Sequence, residues 1–237
     1  MPKNTPSLVL FPGALGVAVA LCLAASSGLA PALPSTAPEK TSAGLSQESQ
    51  MNTDSSNILF CVGDSIVEGL SLHEVAGFAV SNAGIGGAGV RAFLSRAGDI
   101  LPHAQGTTVL LAVGVNDVNR GHTFSAKVWE AEYRKLCAQL AAVAARFIVQ
   151  TVLPVEKRQP WGDRLFPAER IAMMNDIIRN IAKKQGYCLI DMYARFADPK
   201  GFMPAGATTD GVHLTGASYV AWREYWEKQL PRCREGK

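Results

Sequence analysis

Five short apolar runs, residues 58–62, 78–82, 107–113, 147–153 and 187–191, recur along this chain, and no two neighbours are close enough to be joined by a tight hairpin. Runs of that length read as buried strands. Between and after them lie stretches with helical spacing. Val90, Phe93, Leu94 and Ile100 share one face, as do Val128, Leu136, Leu140 and Val143 over residues 126–145. Ile171, Met174, Ile178 and Ile181 do the same over 167–185, where Gly186 is a natural helix cap, and a final helix over 215–230 bears Tyr219, Trp222 and Trp226. Strands that alternate with helices form parallel sheets covered on both faces. The expected fold is a three-layer α/β/α sandwich on a five-stranded parallel sheet. Two irregular stretches remain: a polar, Trp-containing loop over 155–166, long enough for a substrate-facing lid, and a second loop over 196–209.

The first fifty-six residues do not follow this pattern. Lys3 is the only charged residue before Glu39, and residues 8–25 are almost uninterruptedly apolar, with Gly28, Ala30 and Ala32 offering small residues for cleavage. That is the layout of a signal peptide over residues 1–30, or of an uncleaved anchor helix, so the protein is expected to be exported, periplasmic or secreted. Cys22 follows Leu21 rather than a small residue, which disfavours lipid attachment. Residues 31–56, rich in Pro, Ser, Thr, Ala and Gln, form a solvated linker. Residues 57–237 are then one domain. A net charge of +3 excludes any strong argument for nucleic acid, and membrane contact is expected only through an uncleaved leader. Of the cysteines beyond the leader, Cys61 and Cys188 sit in strand-like runs as small apolar residues, which leaves Cys137 with Cys233 as the bridge to consider. No Cys or His pair has metal-ligand spacing, so neither a metal nor a cofactor is expected.

The chemistry-bearing residues stand at the ends of the strands. Gly63-Asp64-Ser65 closes the first run, Asn82-Ala83-Gly84-Ile85-Gly86-Gly87 the second and Gly114-Val115-Asn116-Asp117 the third, while Asp210-Gly211-Val212-His213 precedes the last helix. A serine at that edge suits a nucleophile, since reacting groups collect at the carboxyl ends of parallel strands. It is also ordinary turn chemistry. A carboxylate three residues ahead of a histidine can hold Nδ1–H and leave Nε2 as a base. His73, His103 and His122 have no such partner. Gly-x-Ser-x-Gly is absent around Ser65, because Val67 fills the last position, which argues against an ordinary α/β-hydrolase. The glycines at 84–89 do not follow the first strand, which argues against a dinucleotide site.

Taken together and in order, these four motifs resemble the SGNH (GDSL-type) hydrolase family over about residues 57–230. The resemblance implies a flavodoxin-like sheet with Ser65 as nucleophile, Asp64 bracing its turn, His213 as base and Asp210 as its orienting partner. It implies an oxyanion hole from the N–H groups of Ser65 and Gly87, with Gly86 as the alternative donor, and the Asn116 amide. Ile66 stands where the family usually has leucine, and Ala88 where a polar residue commonly follows the oxyanion glycine. Asn175 falls on a helix position where relatives often carry asparagine and is read as structural.

The expected activity is that of an exported serine esterase cleaving acyl esters through an acyl-enzyme, with small acyl groups on a carbohydrate or cell-envelope glycan as the favoured substrate. A lysophospholipase- or thioesterase-like lipolytic enzyme is the alternative, in which Phe78, Trp161, Phe166, Phe202 and Met203 line an acyl groove. From another class, the fold could serve as a non-catalytic glycan-binding domain.

Overall fold

The computed structural model describes residues 55–158 and 160–235. The expected leader over residues 1–30, and the linker up to residue 54, lie outside the described residues.

The sheet is built outward from β1 (Ile58–Gly63), a run buried from Leu59 onward. It pairs in parallel with β3 (Phe78–Gly84) on one side and β4 (Thr108–Ala112) on the other. Beyond β4 follow β5 (Arg146–Gln150) and β6 (Cys188–Ile190), also parallel. The chain therefore leaves β1 towards one edge, returns, and proceeds towards the other. That reversal opens a crevice at the carboxyl end of β1.

The sheet has six strands rather than five. β2 (Glu74–Val75) turns back through Ala76 and Gly77 and pairs antiparallel with β3. Gly77, and unusually Ala76, adopt positive φ in this turn. A two-residue strand carries no alternation to read, so the hairpin excluded from the sequence is present at the edge.

Helices cover both faces. α1 (Ser65–Glu68) is a single turn on β1, and the expected helix after residue 90 is two pieces, α2 (Val90–Ser95) and α3 (Ala97–Ala104), parted at Arg96. α4 (Ala126–Val143) packs Trp129, Tyr133, Leu136, Cys137 and Leu140 inward. Val128, expected on that face, is exposed instead. α6 (Ala168–Gln185) buries Ile171, Met174, Ile178 and Ile181 as its spacing required, and Gly186 ends it in the left-handed conformation. Two short helices, α5 (Gly162–Leu165) and α7 (Met192–Phe196), punctuate the loops.

α8 (Gly216–Arg234) closes the fold by way of its aromatic residues. The indole N–H groups of Trp222 and Trp226 both donate to the buried Gln150 side chain of β5, at 3.2 and 2.7 Å. Tyr219 donates to the Ile66 carbonyl of α1 at 2.8 Å, so the last helix braces the first. At the far end of α8, Cys233 is disulfide-bonded to Cys188 of β6, while Cys137 is buried and free. The pairing of Cys137 with Cys233 is thus corrected. Cys137 faces the core from α4, whereas Cys188 lies on the edge strand beside the end of α8.

Candidate active site

Asp64 and Ser65 occupy the junction of β1 and α1. Asp64 is the N-cap of α1 and accepts the Ile66 N–H at 3.0 Å, which leaves Ser65 as the first helical residue at the sheet edge. Burial pushes the Asp64 carboxyl up to about 7, against the lowering pull of the Ile66 N–H. Asn82 fixes the other end of α1 by donating to the carbonyls of Val67 and Leu70 at 2.7 and 3.0 Å, while its own oxygen accepts the Gly84 N–H.

Across the crevice, Ser65 Oγ lies 2.9 Å from His213 Nε2, and His213 Nδ1 lies 2.6 Å from Asp210 Oδ2. The second oxygen of Asp210 accepts the N–H groups of Val212 and His213 at 3.0 and 2.9 Å. Burial raises the Asp210 carboxyl, but these hydrogen bonds outweigh it and hold the group below the usual aspartate range. A charged Asp210 selects the His213 tautomer with the proton on Nδ1. Nε2 is then the acceptor for the serine hydroxyl.

Gly87, with φ of +72°, and Asn116, in a 3-10 turn over Val115–Val118, form the opposite wall. One N–H of the Asn116 amide donates to the Ala88 carbonyl at 3.0 Å, which fixes the amide's orientation and leaves its second N–H for another acceptor. Asp117 ties the same two loops together, because both its oxygens accept the Val90 N–H at 3.2 Å. Ser65, Gly86, Gly87, Asn116 and His213 all line one cavity of about 510 Å³, together with Asn119, Trp161, Leu165, Phe166 and Val212. Both glycines face it, so either expected donor is within the wall.

Of the five side chains considered for an acyl groove, only Trp161 and Phe166 line this cavity. Phe78 is a core residue, and Phe202 and Met203 border a different depression beside Glu156 and Lys157. Asn175 proves to be a brace: its amide both donates to and accepts from the backbone of Val152, at 2.9 and 2.7 Å.

One contributor was not legible in the sequence. Glu156 is 6% exposed, and its carboxylate accepts the Gly206 N–H at 2.8 Å, the Thr208 N–H at 2.9 Å and the Thr208 hydroxyl at 2.7 Å. Thr208 Oγ1 in turn accepts the Gly211 N–H at 2.9 Å. Burial raises the Glu156 carboxyl, yet its hydrogen bonds hold it below the usual range. The loop that carries Asp210 and His213 is therefore folded around a carboxylate some fifty residues upstream. Only an isolated glutamate in a polar loop marks it in the sequence.

A model of the GDSL-like lipase/acylhydrolase family matches residues 61–221. Among solved structures, a GDSL-like lipase from Bacteroides thetaiotaomicron shares 20% identity with a TM-score of 0.62, over 75% of this chain and 89% of that one. An acetylxylan esterase from Geobacillus stearothermophilus shares 19% with a TM-score of 0.58, over 76% and 96%. A lipase/acylhydrolase from Enterococcus faecalis shares 16% with a TM-score of 0.57, over 73% and 95%. At these identities the structures speak for the fold. No curated protein sequence matches the chain.

Proposed function

Because this chain belongs to the GDSL-like lipase/acylhydrolase family, we propose that it is a serine esterase in which Ser65 attacks the ester carbonyl and His213 takes the hydroxyl proton. A serine hydroxyl is a weak nucleophile until an imidazole removes its proton during attack. The observation that carries this reading is the continuous relay from Ser65 Oγ through His213 to Asp210, at 2.9 and 2.6 Å.

As the Ser65 Oγ–carbon bond forms, the carbonyl π electrons move to oxygen. The N–H groups of Ser65 and Gly87 and the free N–H of Asn116 receive that charge. Collapse of the intermediate breaks the bond to the leaving alcohol, whose oxygen takes the proton from His213 Nε2. Water then repeats the sequence on the acyl-enzyme, with His213 as base, and releases the acid. Asp210 orients the imidazole throughout and stabilises the imidazolium each time it forms. The net reaction is ester plus water to acid plus alcohol.

The substrate reading is a small acyl group on a carbohydrate or envelope glycan. An acetylxylan esterase shares the fold, and Asn116 and Asn119 bring polar groups into the lining of the cavity. Export is supported by the apolar leader and by the Cys188–Cys233 disulfide, a bond that persists in oxidising compartments.

The test is turnover of acyl esters of increasing chain length by the unaltered protein and by Ser65→Ala. Acetyl esters are expected to lead, and the variant to lose kcat by about 10⁴-fold or more with its fold intact. A peak at eight carbons or longer would contradict the acetyl preference. A variant as active as the parent would remove Ser65 from the chemistry.

A further inference from the structure

The proposed reaction dictates where the alcohol half of the substrate must lie. His213 Nε2 has to reach the leaving oxygen, so the rest of the alcohol sits on the imidazole's side of Ser65. The largest side chain there is Trp161. Its ring meets His213 with centroids 5.4 Å apart and planes at 66°, and it lines the cavity beside Leu165, Phe166 and Val212.

Two features separate this indole from an incidental surface aromatic. It lines the cavity yet is 40% exposed, where a core role would have buried it. It is also carried on the same frame as the catalytic relay: the Trp161 N–H donates to the Asp210 carbonyl at 3.2 Å, and the Gly162 backbone packs directly on Gly211. The backbone that bears the indole is thus tied to the backbone that bears the group that protonates the alcohol.

We propose that Trp161 is the platform for the leaving alcohol and that this alcohol is a sugar ring. A pyranose offers a flat set of weakly positive C–H bonds to the negative face of an indole, while its hydroxyls project sideways to hydrogen-bond. Asn119 lines the same cavity to receive them. A long alkyl or acyl chain needs a continuous apolar trough instead. Across Gly87 and Asn116 the adjoining cleft, of about 490 Å³, mixes Phe124 and Val128 with Arg91, His122 and Glu132. That lining suits a second sugar better than a chain.

This assignment rests on the esterase reading of Ser65, and the experiment separates the two. Trp161→Ala and Trp161→Phe are compared with the unaltered protein on an acetylated xylo-oligosaccharide, on ethyl acetate, whose alcohol is too small to reach the indole, and on ethyl octanoate. In Trp161→Ala the ratio of kcat/KM for the oligosaccharide to that for ethyl acetate should fall about tenfold, mainly through KM, and Trp161→Phe should restore most of it. An equal loss on all three substrates would reduce Trp161 to a prop for His213 and overturn the proposal. So would a selective loss on ethyl octanoate, which would make it part of an acyl groove. Absence of turnover of all three esters by the unaltered protein would overturn the esterase reading itself, and this inference with it.

Discussion

Asp64 is held between two demands, and its response to pH shows which prevails. It must cap α1, which favours any hydrogen-bond acceptor, and it is buried, which disfavours charge and lifts the carboxyl to about 7. The folded protein binds a proton there that the unfolded chain has already lost. The stability this contributes is full below the unfolded carboxyl's pKa of about 4 and is lost as pH rises through about 7. Asp64→Asn keeps an acceptor at the cap and removes the buried charge. Urea unfolding at pH 8 should show the variant more stable than the parent by on the order of 1 kcal/mol or more, with the difference shrinking as pH falls from about 7 towards 4. A variant less stable at both values would mean that the charge itself is needed to hold the turn. At this scale the sequence was informative where chemistry needs short spacings. Asp210 and His213 are three residues apart and meet as their separation allowed. Glu156 was not readable, because nothing in a single polar-loop glutamate announces three donors waiting some fifty residues downstream.

Among elements, the loop from Met203 to Leu214 has little regular structure of its own and takes its shape from Glu156 and from close backbone contact with Gly162. Gly211 adopts φ of +104°, and a Cβ there would strike the Gly162 amide. Glu156→Gln preserves the outline but turns one acceptor oxygen into an NH₂ facing N–H donors. We expect kcat to fall about tenfold with KM nearly constant, as the displaced loop loosens the His213–Ser65 distance. Steady-state kinetics beside a thermal melt check this; a lower Tm with unchanged kcat would show the carboxylate to be structural only. The strands and long helices were legible because apolar periodicity is imposed by burial on both sides. The short elements were not. β2 is two residues at the sheet's edge, α1 and α5 are single turns, and each exists through contacts made elsewhere in the chain rather than through its own pattern.

The described domain is a mostly parallel sheet whose crevice is lined by segments from opposite ends of the domain, and its last strand is fastened to its last helix. The Cys188–Cys233 bond spans 45 residues and joins the edge strand to the terminal helix, a pairing that sequence separation alone could not choose over Cys137 with Cys233. Closing a loop of that length restricts the unfolded chain by about 4 kcal/mol in the entropic account, and native proteins commonly realise 2–5 kcal/mol. Reduction should therefore lower the urea midpoint by an amount equivalent to about 2–4 kcal/mol while leaving ester hydrolysis in the still-folded fraction intact. An unchanged midpoint would show that the bond adds no stability in solution. The central claim is that residues distant in sequence activate one serine. The direct measurement is intact-mass and peptide analysis after exposure of the folded protein to a fluorophosphonate probe. The account predicts one adduct per chain, on the peptide containing Ser65, abolished in His213→Ala under the same conditions. A folded protein that takes up no probe, or takes it up on another residue, would contradict it.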